Sequence, residues 1–137
     1  HITPGYAVAP QIDPDDMPAL AEAGFKRVIC NRPDHEVPAE LQAEVLRAAA
    51  EAAGLEFVDL PVENGGFDLD LVAAQGAAIE DADGPVFAYC RSGTRCAMVW
   101  ALHAAKSRPV DEILSACREA GFDLSMLRGT LDAIAAR

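Results

Sequence analysis

Val86-Phe87-Ala88-Tyr89-Cys90-Arg91-Ser92-Gly93-Thr94-Arg95-Cys96-Ala97-Met98-Val99-Trp100 is the stretch on which the fold turns. Gly84-Pro85 delivers the chain into a short apolar run from Val86, which reads as a fully buried strand. From Cys96 to about Lys106, Val99, Leu102 and the small alanines are spaced as on a buried helix. Only small or polar residues and one glycine lie between. Cys90 therefore sits at a strand end, in a tight loop that feeds a helix N-terminus.

Backbone N–H groups of residues 91 to 96 have no strand or helix partner in such a turn, and several converge on one point. Together with the positive end of the helix dipole they favour an anion. A thiol held there is driven toward thiolate, with pKa values of roughly 3.5–7.5 typical of cysteines at helix N-termini or beside cations. Arg91 and Arg95 add positive charge, and Arg95 offers a planar fork to an oxyanion. Ser92 and Thr94 supply hydroxyl donors to the sulfur or to a bound anion, and Gly93 lets the loop turn. The pattern predicts a nucleophilic Cys90 in an anion cradle formed by Arg91, Ser92, Gly93, Thr94, Arg95 and Cys96. A buried structural cysteine ahead of a plain connector is the alternative, but two arginines and two hydroxyls are poor choices for one.

Working outward, Tyr6–Ala9 reads as a first strand. Asp13-Pro14-Asp15-Asp16 starts a helix, with Asp13 as N-cap, and Gly24 ends it. Phe25–Cys30 is a second strand, and Pro38 opens a helix that runs to Ala53. Leu55–Val62 is a third strand, followed by the polar loop Glu63–Asp68 and a helix from Leu69 to about Asp81. After the helix that follows Cys90, Pro109 opens another that ends at Gly121, and Asp123 caps a last one through Ile134. Alternating strands and helices predict an α/β fold of three layers, a mainly parallel central sheet flanked by helices, in one domain spanning 1–137. Ligands then bind at the carboxyl ends of the strands, where the Cys90 loop, the Asn31-Arg32-Pro33-Asp34 turn and the Glu63–Asp68 loop all emerge. Arg32 or Asp34 would brace the cradle from beside it, unless the turn is only turn chemistry.

Composition narrows the function. The net charge is −11, with 22 acidic against 11 basic residues, which argues against nucleic acids and anionic membranes as partners. The arginines of the loop are then a local positive spot that suits a small anionic substrate or a phosphorylated group. The four cysteines form neither a disulfide framework nor metal-ligand spacing, and Cys30 and Cys117 fall at predicted core positions. No metal or cofactor is expected, and no membrane-spanning run or secretory signal is visible. A thiolate enzyme suits a reducing cytoplasm. His1 stands where a start methionine would, so the native start lies upstream or His1 is a remnant.

Cys-Arg-Ser-Gly-Thr-Arg resembles the active loop of the protein tyrosine and dual-specificity phosphatases and that of the rhodanese sulfurtransferases. The chain also resembles one bacterial family, the beta-lactamase-hydrolase-like phosphatase domain, sometimes labelled a sulfurtransferase. The matching segments are Ile2-Thr3-Pro4, Gln11-Ile12, Ala23–Lys26, Asn31–Asp34, Pro61-Val62, Gly65-Gly66 and the loop itself. The resemblance implies the dual-specificity phosphatase fold and a hydrolase in which Cys90 forms a cysteinyl phosphate while Arg95 clamps the anion. Two departures stand against it. Arg95 lies five positions after Cys90, as in rhodaneses, where phosphatases place it six after; and Tyr89 replaces the usual histidine. A leaving-group acid would come from Glu63 or Asp68, with Asp59 a weaker choice, although Asp68 also suits a helix N-cap. Sulfur transfer through a Cys90 persulfide is the competing expectation, and an anion-binding domain without turnover is a third. Cys96 is a small buried residue or a resolving thiol for Cys90. Neither His35 nor His103 favours any of these.

Overall fold

The computed structural model describes residues 1–63 and 67–137; Asn64 and the Gly65-Gly66 pair used above lie outside the described residues. Four strands, β1 (Tyr6–Ala9), β2 (Arg27–Cys30), β3 (Glu56–Asp59) and β4 (Val86–Tyr89), form one sheet in the order β1-β4-β2-β3. All three pairings are parallel, with Tyr6 and Arg27 both opposite Val86, and Arg27 opposite Glu56. The helices are α1 (Met17–Glu22), α2 (Ala43–Ala52), α3 (Leu69–Glu80), α4 (Thr94–Ala104), α5 (Val110–Glu119) and α6 (Arg128–Ala135). The expected α/β architecture, a parallel sheet between helices, is the observed one.

Strand alternation sorts the side chains into two cores. Val86 and Ala88 of β4 and Ile29 of β2 pack with α3, α4, α5 and α6. Val28, Cys30 and Tyr89 point the other way, against Met17, Ala43, Leu46 and Ala50 of α1 and α2. The same alternation carries Cys90 onto the α4 side and Tyr89 away from it. Helix α4 runs through the larger core with Cys96, Ala97, Val99, Trp100, Ala101, Leu102 and Ala104 all buried. A helix so enclosed cannot tilt without breaking contacts on several sides, so its N-terminus is a fixed point.

Several boundaries differ from the sequence expectations. The helix expected from Pro38 to Ala53 is a 3₁₀ turn at Ala39–Leu41, then an extended Gln42 (ψ 160°), then α2. The Asp34 carboxylate accepts the Ala43 N–H at 2.8 Å and so fixes the true helix start. Helix α4 begins two residues before Cys96, which puts Arg95 and Cys96 in its first turn. Residues 13–24 divide into a 3₁₀ turn at Pro14–Asp16 and α1, and residues 123–135 into a 3₁₀ turn at Ser125–Leu127 and α6. The third strand stops at Asp59, but the chain stays beside β2, with Leu60 N–H donating to Cys30 O and Val62 N–H to Asn31 O.

Candidate active site

The backbone makes the cradle first. Cys90 N–H donates to Ala9 O, which holds the residue at the end of β4. Gly93 takes φ +90° as N-cap of α4, a conformation that a side chain would strain. A Cβ there would also stand 3.0 Å from Phe122 Cζ and 3.4 Å from the Ala9 carbonyl carbon. The turn aims Gly93 N–H at Cys90 Sγ, 3.1 Å away. Hydrogen bonding from the Cys96 thiol, together with backbone N–H groups of Cys96, Ser92 and Gly93, outweighs burial and brings the Cys90 thiol down to about 5. Cys96, wholly enclosed, is pushed up by that burial and stays a thiol. Cys90 itself is covered, whereas Arg91 and Ser92 are exposed above it. The Ser92 hydroxyl donates to Thr94 Oγ1 at 3.0 Å, so these two side chains hold each other.

Arg95 reaches the same end of the sheet but is already held. Its Nη1 donates to Glu36 Oε2 at 2.9 Å and to Val62 O at 2.7 Å, and its Nη2 donates to Glu36 Oε1 at 2.7 Å. This end-on fork leaves the side edge of the guanidinium, Nε–H and the second Nη2–H, with no acceptor among the described residues. That edge can take a further oxyanion in bidentate fashion. Glu36, which the sequence reading did not single out, is thus the residue that orients Arg95. Two arginines reach it, since Arg32 Nε lies 3.4 Å from Glu36 Oε1 and Arg32 Nη2 donates to Glu36 O. Arg95 first, and Arg32 after it, hold the Glu36 carboxyl below the usual carboxylate range.

The predicted neighbours divide. Arg32 reaches the cradle through Glu36 and also donates to Gln11 Oε1. Asp34 does not brace it: its carboxylate is taken by the start of α2, because the turn Asp34–Glu36 points Asp34 toward Ala43 and Glu36 toward Arg95. Asp68 accepts the Asp70 N–H at 2.8 Å and caps α3. Glu63 is exposed and pairs with His35 Nε2 at 2.7 Å. Glu63 and Asp68 nevertheless line one cavity of about 250 Å³ with Pro61, Val62 and Leu71, beside the carbonyl that holds Arg95. Asp59 lies on β3, where burial raises its pKa.

A buried polar chain fixes these parts to one another. Asn31 Nδ2 donates to Leu60 O and Gln75 Oε1, and Gln75 Nε2 donates to Asn31 Oδ1 and Tyr6 Oη. Tyr6 Oη then donates to Cys96 O, in the first turn of α4. Each link spares a buried group from going unpaired, which costs about 1–3 kcal/mol. No sequence periodicity reveals such a chain. The one available sign was an isolated glutamine, Gln75, on the apolar face of α3.

His35, Glu36 and Glu63 bring one ligand atom each within 4.8 Å of the others, the spacing of a metal site. Arg95 and Arg32 already occupy the Glu36 carboxylate, and two guanidiniums oppose a cation there.

Comparison with known proteins places this architecture. Residues 1–107 match the family model described as the beta-lactamase hydrolase-like protein, phosphatase-like domain. Beta-lactamase hydrolase-like proteins of Agrobacterium fabrum and Xylella fastidiosa are 33% and 32% identical over 111 and 120 residues. These alignments cover 80% and 86% of this chain but 26% and 28% of the relatives, so the chain spans about a quarter of their length. The crystal structure of a candidate phosphatase from Neisseria meningitidis is 34% identical, with a TM-score of 0.84 over 98% of this chain and 96% of that one. At 17% identity, Tk-PTP in its active form shares the fold, with a TM-score of 0.72 over 100% of this chain and 95% of its own. The resemblance read from the loop and its flanking segments therefore holds at the level of fold and family, and the chain belongs to the phosphatase-like domain family of the beta-lactamase hydrolase-like proteins.

Proposed function

We propose that this domain is a cysteine-dependent phosphatase acting on small phosphate monoesters. The observation that carries the reading is the Cys90 sulfur at the head of α4, brought down to about 5 and therefore a thiolate at neutral pH. The thiolate attacks phosphorus; an S–P bond forms as the P–O bond to the leaving group breaks. Backbone N–H groups of the loop and the open side edge of Arg95 take the equatorial oxygens, whose charge is spread in the transition state. Water then cleaves the cysteinyl phosphate and releases inorganic phosphate. Arg91, Ser92 and Thr94 shape the rim, and the net charge of −11 disfavours long polyanions.

Sulfur transfer is the second reading, favoured by the five-residue step from Cys90 to Arg95 and by the cover over Cys90. A single sulfane sulfur on Cys90 needs fewer donors and less room than a phosphoryl group. Two assays on one preparation separate the readings. Hydrolysis of an aryl phosphate that disappears in Cys90→Ser, with no sulfur gained from thiosulfate or polysulfide by intact mass, is the expected result. Gain of one sulfur atom on Cys90 without phosphate release would replace the phosphatase reading with sulfur transfer. Neither activity would leave an anion-binding domain.

A further inference from the structure

The turn that sends Glu36 to Arg95 also presents His35 at the surface, beside Glu63. His35 Nε2 lies 2.7 Å from Glu63 Oε1, and both groups lie within 4.8 Å of a Glu36 carboxylate oxygen. That carboxylate is 2.7–2.9 Å from the Arg95 guanidinium. Imidazole, carboxylate and guanidinium thus follow one another from the surface to the anion clamp. His35 and Glu63 are 66% and 63% exposed, so an incoming ester can reach them without any rearrangement of the core. For the pair to serve the reaction, the leaving alkoxide or phenolate must depart from Cys90 toward it, a direction that is part of the proposal.

The charged groups that face His35 are Glu63, Glu36 and Arg95. The Glu63 carboxylate, bonded to the ring, acts most strongly and moves the imidazole above its ordinary 6.5; Arg95 opposes it only weakly. Glu63 pairs with the ring Nε2 at 2.7 Å and so holds the imidazole in one orientation. The ring is therefore a proton donor that the expectation of Glu63 or Asp68 as the acid did not include.

Resting on the phosphatase reading above, we propose that His35 is the proton donor to the leaving oxygen and that Glu63 holds the imidazolium in place. As the P–O bond breaks, the leaving oxygen takes the imidazolium proton and His35 becomes neutral. In the second step neutral His35 accepts a proton from the water that attacks the cysteinyl phosphate, which restores the imidazolium. Protons and electrons balance over the cycle, and no co-reactant other than water is needed.

The test uses aryl phosphates whose leaving phenols range from strongly to weakly acidic, with the wild-type chain, His35→Gln and Glu63→Gln. A strongly acidic phenol leaves without help, so kcat/KM for its ester should be almost the same in His35→Gln as in wild type. That constant reports the steps through P–O cleavage, whereas kcat falls with the slower hydrolysis of the cysteinyl phosphate. The loss of kcat/KM should grow to about 100-fold for the most weakly acidic phenol, the low end of general-acid contributions. The alkaline limb of the wild-type kcat/KM profile should vanish in His35→Gln and move to lower pH in Glu63→Gln. An equal loss of kcat/KM across the ester series in His35→Gln would mean a structural role and overturn the proposal. A leaving-group dependence that appears only in Glu63→Gln would overturn it in favour of Glu63. Failure of the wild-type chain to release phosphate from any ester would instead sink the phosphatase reading itself.

Discussion

Four thiols in one small chain show how far environment decides chemistry at the scale of a residue. Burial pushes Cys30 and Cys117 up to about 11 and Cys96 higher than its ordinary value. Cys90 is equally covered yet comes down from 9.0 to about 5, because donors surround its sulfur at the helix start. A depressed pKa is also a statement about stability. The unfolded chain protonates Cys90 near its ordinary 9.0, while the fold holds it as thiolate down to about 5. Its contribution is therefore complete above about pH 9, shrinks as pH falls, and is gone once pH passes below about 5. The other three thiols remain protonated over that range and cancel in a comparison with Cys90→Ser. The difference in Tm between wild type and Cys90→Ser should change steadily in favour of wild type from pH 5 to pH 8. Thermal melts at several pH values, joined to a thiolate absorbance titration, check this. Parallel Tm curves would mean that Cys90 is not a thiolate in the folded protein.

Among the elements, β1, β4 and the loop after β4 were legible because their signals are local. Gly84-Pro85, a four-residue apolar strand and a glycine at the turn declare themselves within ten residues of sequence. The turn Asp34–Glu36 was not legible, for a physical reason. Asn31, Arg32, Pro33, Asp34 and Glu36 all suit a polar turn, and sequence cannot say which carboxylate faces which arginine. Of the two residues that the sequence offers as a brace, Arg32 or Asp34, the second instead caps α2, while Glu36 holds Arg95. The partner lies 59 residues away, a separation that no local pattern encodes. Glu36→Gln tests the element in which this happens. The amide keeps the size of the side chain but removes the charge from a pair that is nearly enclosed, with side-chain exposures of 10% and 14%. Arg95 then loses its end-on fork and the direction of its open edge. We expect kcat/KM for an aryl phosphate to fall about 10- to 100-fold, or roughly 1.4–2.7 kcal/mol of transition-state stabilisation. The loss should fall mainly on KM, because the thiolate is untouched. A fall in kcat alone, with KM unchanged, would show that Glu36 does not orient a group that binds the ground-state anion.

For the whole molecule, charge sets a barrier that the site must overcome. With 22 acidic and 11 basic residues, the surface repels a dianionic ester at long range, while attraction is confined to the mouth of the cradle. Arg95 contributes little to attraction at a distance, since Glu36 neutralises it; Arg91, next to Cys90 in sequence and exposed, has no carboxylate partner among the described residues. Salt acts differently on the two ranges. The Debye length falls from about 30 Å at 0.01 M to about 8 Å at 0.15 M, so repulsion across the molecule is screened before contacts inside the loop are. The kcat/KM for aryl phosphates should therefore rise with ionic strength over this interval, opposite to an enzyme that steers anions inward. An ester carrying an additional carboxylate should show a steeper rise than one without it, and this comparison separates long-range repulsion from competition by the added anions. The competing anions depress both esters alike. If kcat/KM instead falls with salt, more steeply for the more highly charged ester, a positive field from the rim governs the encounter and the acidic surface is too distant to matter.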